Sequence, residues 1–181
     1  MRFRWCLLGG ALIAGGGCGG GDDASAPATT AAGVGATIAA SVADGVLPTG
    51  FETVSVTVVG PDGTERGLCL YLADQPELRA RGLMGVTDLG GRDGMLFRYD
   101  APHDGRFWMK DTVLPLSIAF YVEDGGFVSA TDMDPCPSGT ECPRYAAAGP
   151  FTAAVEVPQG DLPDLGLVEG STLAIGAAPC G

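Results

Sequence analysis

Over residues 53–59 valine alternates with serine or threonine, the two-residue period of a half-buried strand. Gly60-Pro61-Asp62-Gly63 is a turn cluster, and an apolar run resumes over 68–72, so the two segments predict a β-hairpin. The period then changes. Asp74-Gln75-Pro76-Glu77 opens a helix over 75–83 that Gly82 and Gly85 end. Asp74 is placed to cap it, Pro76 suits the first turn and Glu77 can reach back. Leu78 and Arg81 lie near one face of this helix with Leu83 close by, and Arg79 points elsewhere. Strand patterns return at 94–99, with Met95 and Phe97 on one side, and at 107–109. The most apolar segment, 116–122, predicts an interior strand; Glu123-Asp124-Gly125-Gly126 turns the chain and 127–133 pairs back. Further strands are predicted at 151–157 and 171–175, and Pro163 limits 161–166 to one helical turn at most. The predicted fold is mostly β (α+β): a compact, mostly antiparallel barrel or sandwich of seven to eight short strands with one short helix.

The N-terminus has a different pattern. Arg2 and Arg4 precede an apolar run over 6–14, too short for a comfortable membrane span, which takes ~20 apolar residues. A charged start, a short apolar stretch and then small residues read as a signal peptide over 1–17. Ala14-Gly15-Gly16-Gly17-Cys18 resembles the lipobox of bacterial lipoproteins, in which the cysteine is acylated, although Gly15 stands where an aliphatic residue is usual. Ordinary cleavage without modification of Cys18 is the alternative. Residues 18–50 are small and without aromatics until Phe51; they cannot bury enough surface to offset their ordering entropy and suit a flexible tether. Residues 51–181 form a single globular domain, long enough for one core. The expected location is extracytoplasmic, held at the cell membrane by the lipid alone.

The formal net charge is −12; with Arg2 and Arg4 lost, eight basic residues face 22 acidic ones, a net −14. This disfavours nucleic acid, which calls for a basic face, and docking of the domain itself on anionic lipid. Four cysteines follow Cys18: Cys69, Cys136, Cys142 and Cys180. An even number in an exported domain predicts disulfides, with three connectivities open. Cys136 and Cys142 enclose a turn-rich loop, and a bridge there contributes roughly 2–2.5 kcal/mol in the chain-entropy model. Cys69 with Cys180 would pin the C-terminus. A metal site is not expected: His103 is the only histidine, and the spacing of Cys136 and Cys142 is unusual for zinc. No cofactor is expected either.

Several motifs carry a family likeness. They are Arg79-Ala80-Arg81-Gly82-Leu83-Met84-Gly85, Gly94-Met95-Leu96-Phe97, Phe107-Trp108-Met109-Lys110-Asp111-Thr112 with Pro115-Leu116, and Met133-Asp134-Pro135-Cys136. Cys142-Pro143 with Tyr145 and Ala154-Val155-Glu156-Val157 continue the series. In their order and spacing these resemble the bacterial and archaeal family known as domain of unknown function 192, over about residues 54–175. The resemblance implies a small β-rich fold, often exported, and no known reaction. Asp111 stands where the family pattern has Asn, and Ser117 where it has Asp; a role that needs an amide donor at the first position is therefore in doubt.

Lys110 is the only lysine beside nine arginines, and Trp108 is the only tryptophan outside the leader. On a strand over 107–109 these two share a side and Met109 and Asp111 take the other. A ligand site of Arg81, Met84, Trp108 and Lys110 follows: an apolar wall with charge anchors for a small polar or anionic molecule. The competing reading makes Trp108 a core aromatic and pairs the cations with Asp111, Glu156 or Asp88. No catalytic residue is assigned; Lys110, Asp111 and Glu156 are the candidates, and His103 reads as a loop histidine. The ranked functions are a binding or accessory module, a structural or protein-interaction domain of the envelope with no partner specified, and an enzyme using Lys110 with a carboxylate.

Overall fold

A computed structural model describes residues 45–136 and 141–181. The expected leader, Cys18 and the expected tether up to residue 44 lie outside the described residues, as do residues 137–140. Alternation in the sequence becomes nine strands: β1 (Glu52–Val59), β2 (Glu65–Ala73), β3 (Gly94–His103), β4 (Arg106–Phe107), β5 (Leu116–Tyr121), β6 (Phe127–Met133), β7 (Tyr145–Ala146), β8 (Phe151–Pro158) and β9 (Thr172–Ile175). Seven of them form one sheet in the order β6-β5-β8-β3-β2-β1-β9, and β4 pairs with β7 in a two-stranded ribbon. The pairings are antiparallel except β2 with β3, which run parallel. Parallel neighbours need a crossover, and the helix α1 (Pro76–Arg81) lies within it. The turn before β6 touches β9 through Gly126 and Thr172, but no continuous ladder closes the sheet. It is sandwich-like, not a closed barrel.

Strand alternation sorts side chains to two cores. Val54, Val56 and Val58 of β1 pack with Leu68, Leu70, Leu96, Tyr121 and Val155 in one. Met95, Phe97, Met109, Ile118, Phe120 and Phe151 form the other, on the opposite face. All six residues of β5 are buried, because both its faces and both its edges are covered.

The helix is shorter than its sequence pattern at both ends, and Asp74 does not cap it. That carboxylate is drawn instead to Arg98, at 2.8 Å, a partly exposed pair of the kind worth ~0–1 kcal/mol. The predicted strand over 107–109 stops at Phe107; Met109 turns into the second core, 1 % exposed. The short strand β7 has no two-residue pattern long enough to announce it. Residues 45–50, assigned to the tether by composition, are tied to the domain. The Val46 carbonyl accepts from the amides of Thr87 and Asp88, and the Thr49 carbonyl accepts from Arg81 at 2.7 Å.

Both disulfides form among the four cysteines, Cys69–Cys180 and Cys136–Cys142, which suits an oxidising, extracytoplasmic compartment. Among the described residues no helix is long and apolar enough to cross a membrane. Gly94 lets β3 meet β8: a Cβ there would run into the backbone carbonyl of Glu156. Gly94→Ala is therefore expected to lower stability by about 2–3 kcal/mol, read as a reduced denaturant midpoint; a midpoint within error of the parent would show that the strands part freely.

Candidate functional site

On the second-core face, α1 and its exit, the ends of β3 and β4, β8 and the chain after the Cys136–Cys142 bridge surround a cavity of about 510 Å³. Aromatic rings make its walls. Phe97 and Phe107 meet edge to face at 5.0 Å. His103 stacks on Tyr99 at 4.3 Å, which in turn packs edge-on to Phe151 at 5.5 Å. Trp108, 36 % exposed, stands at the mouth.

Cations surround these rings. Arg79 lies over Tyr99, 4.7 Å from the ring centre, and donates to the carbonyls of Asp74 and Arg98. Arg81 lies over Phe51 at 4.3 Å. Arg144 covers Trp108 at 3.9 Å, and Arg106 joins the lining. The only ion pair among the described residues is Arg98–Asp74, so these four arginines have no carboxylate counter-ion there. A locally positive cleft in a chain of net charge −12 concentrates anions.

One carboxyl group belongs to the lining, and it is unusual. Glu156 sits on β8 between Met95 of β3 and Ile118 of β5, on the cavity face of a strand whose Val155 and Val157 serve the first core. It is 5 % exposed. Burial, with no compensating ion pair, pushes its carboxyl up to about 8, so near neutral pH it is mainly the uncharged acid. The Tyr99 hydroxyl is raised too, first by burial; Arg79 opposes the shift and Glu156 adds to it.

Of the ligand residues expected from sequence, Arg81, Met84 and Trp108 line this cavity. Lys110 does not. It is exposed and its ammonium stands over Trp108, 5.5 Å from the ring centre. Asp111 has left-handed backbone, φ 56°, a conformation that Asn and Asp tolerate better than other side chains. Its amide donates to the Cys136 carbonyl and its own carbonyl accepts from Gly85. The Asn-to-Asp departure thus keeps the turn. Ser117, the other departure, is buried and donates to Asp132 at 2.5 Å, away from the cavity. Lys110, Asp111 and Glu156 are not assembled into one acid–base group: only Glu156 lines the cavity. His103 is held against Tyr99 and not loose in its turn.

Sequence reasoning gives no site role to Arg79, Tyr99, Arg106 or Arg144, and takes Glu156 as a counter-ion or a catalytic candidate. Glu156 had a signal, a lone charge within the apolar alternation Ala154-Val155-Glu156-Val157. Arg144 had none. It meets Trp108 because the bridge of Cys136 to Cys142 leaves it two residues beyond the anchored cysteine, while Cys136 pairs with Lys110 and Thr112.

Among solved structures the fold is similar to that of a Sinorhizobium meliloti 1021 protein for which a role as transcription regulator has been suggested. That match has 26 % identity and a TM-score of 0.60, and spans 69 % of this chain and 95 % of the other. A protein of unknown function from Novosphingobium aromaticivorans DSM 12444 is also similar, at 31 % identity and a TM-score of 0.60 over 74 % of this chain and 94 % of that one. No curated protein matches. Residues 57–175 match the uncharacterized ACR family DUF192. Motifs, fold and aligned relatives agree, and the chain belongs to the domain of unknown function 192 family.

Proposed function

We propose that this protein is an extracytoplasmic binding module, held at the membrane by a lipid on Cys18, that takes a small anionic ligand into the cavity between α1, β3 and β8. One observation carries the reading: four arginines without a carboxylate partner among the described residues converge on an aromatic-walled cleft whose single carboxyl is held neutral by burial. An anion entering there meets guanidinium groups already oriented by aromatic faces and backbone carbonyls, so little side-chain ordering is left to oppose binding. Arginine forks suit carboxylate and phosphate oxygens.

The test is thermal unfolding of the protein against carboxylates, phosphates, sugars and sugar acids. A ligand specific to the folded state stabilises it by about 2.7 kcal/mol at a hundredfold excess over Kd. The expected outcome is a shift with acidic ligands that is lost in Arg144→Ala and in Arg106→Ala. The absence of a shift across the panel, or a shift that survives both substitutions, would remove the cavity from consideration. Acylation is checked separately, by the mass of the mature N-terminus; an unmodified Cys18 would refute the anchor and leave the cavity reading standing.

A further inference from the structure

We infer that the ligand is a hydroxylated ring bearing an acidic group, a sugar acid or sugar phosphate, whose anion is gripped at the mouth by Arg106 and Arg144 and whose hydroxyls are read at the floor by Glu156. This rests on the anion-binding reading above and deepens it. Glu156 is 5 % exposed, it lines the cavity, and among the described residues no hydrogen bond is made to its carboxyl. Among the described residues the one sealed side-chain polar atom without a partner is Arg92 Nε; the Glu156 oxygens instead open onto the cavity, and a polar group so placed is satisfied by what the cavity holds. The compensating partner therefore comes from the cavity. The uncharged acid offers an O–H donor and a carbonyl acceptor side by side. A hydroxyl both donates and accepts, so it can answer both; a simple carboxylate or an aliphatic body cannot. An apolar ring pressed on Glu156 would leave it desolvated and unpaired, costing roughly tenfold or more in affinity.

The walls fit the same body. A pyranose has apolar C–H faces and polar edges, and the cavity opposes aromatic surfaces of Phe97, Tyr99 and Phe107 to one polar floor. At about 510 Å³ the space falls in the range of small-ligand sites and holds one sugar unit with room at the mouth. The acidic group then lies toward Trp108, where Arg144 stands 3.9 Å from the indole centre, and away from Glu156. This separates the two recognition elements along the cavity.

The experiment is calorimetric titration of the full chain at pH 6 with four probes: D-glucuronate, glucose 6-phosphate, glucose, and cyclohexanecarboxylate, which keeps a ring and an acid but has no hydroxyls. D-Glucuronate or glucose 6-phosphate is expected to bind at least tenfold tighter than glucose and than cyclohexanecarboxylate. Glu156→Met, an apolar replacement of similar length, is expected to weaken the sugar anion at least tenfold and leave cyclohexanecarboxylate unchanged or improved. Glu156→Gln, which keeps a donor and an acceptor, should bind within a few-fold of the parent. Should Glu156→Met disturb folding, the comparison of parent and Glu156→Gln across the four probes still decides. Cyclohexanecarboxylate binding as tightly as D-glucuronate in the parent would overturn the hydroxylated ligand while leaving an anion site in place. Binding that is indifferent to Arg144→Ala would overturn both. A trigalacturonate arm distinguishes sources: tighter binding than D-glucuronate assigns the ligand to an acidic polysaccharide, weaker binding to a free sugar anion, and either outcome supports the class.

Discussion

Removing the Cys69–Cys180 bridge is expected to cost about 5 kcal/mol of stability, the largest single effect foreseen in this molecule, because the bridge closes a loop spanning most of the domain. The two cysteines are 111 residues apart in sequence, so in the unfolded chain their separation is a large loss of entropy on closing. In the folded chain the bridge secures a marginal edge. Strand β9 has four residues; its one ladder is with β1, its other edge is met by the turn at Gly125 and Gly126, and the segment beyond it follows β1 by a few bonds: Gly176 donates to the Ser55 carbonyl, and Ser55 donates to Ala178. The Cys69→Ala/Cys180→Ala protein should show a denaturant midpoint lowered accordingly, with amide exchange accelerated first in β9. A fall below about 1 kcal/mol would mean that the reduced, unfolded chain is already compact in this region. The shorter Cys136–Cys142 bridge should matter less for stability. It should matter more for the ligand, since it anchors the turn at Asp111 and Thr112 beside Trp108.

The second large effect is in pH. Glu156 has its acid raised from 4.5 to about 8 by burial, while in the unfolded chain it titrates in the ordinary carboxylate range. Between those values the native state holds a proton that the unfolded state has released, so stability falls as pH rises from about 4.5 to about 8. The contribution is complete below the unfolded value and gone above the folded one. At ~1.4 kcal/mol per unit the total approaches ~5 kcal/mol if the ionised carboxylate stays buried, and it is smaller to the degree that water follows the charge into the cavity. Glu156→Gln should abolish this slope: close to the parent in stability near pH 5, and the more stable of the two near pH 9. Parallel stability curves for the two proteins would show that Glu156 is already ionised at neutral pH, and the neutral floor assigned to the cavity would be lost with it.

The two effects also mark where sequence stops. The alternation of Val54, Val56 and Val58 marks β1 within a handful of residues. The turn Glu123-Asp124-Gly125-Gly126 similarly joins β5 to β6 without reference to anything distant. Such features were legible because period and turn chemistry act between near neighbours. The short helix was legible for the same reason, but not its ends: Asp74 had a local option as a cap, and the ion pair with Arg98 took it. Trp108 and Lys110 come together as expected by their spacing, yet not on a strand. Arg81, Met84 and Trp108 were found to share a cavity, whereas Lys110 was not.

By itself the sequence determined the β-rich class, the hairpins, the short helix α1, the family and the pool of cysteines, since each is written in a short window or in fixed motif order. The tertiary structure alone decided that β2 and β3 run parallel, that Cys69 joins Cys180, and that Arg144 lies on Trp108. It also turned Glu156 from a lone charge in an apolar strand into the floor of a cavity. These outcomes depend on which strands become neighbours, a choice made by the burial of both sheet faces at once and carried by contacts between residues far apart in the chain.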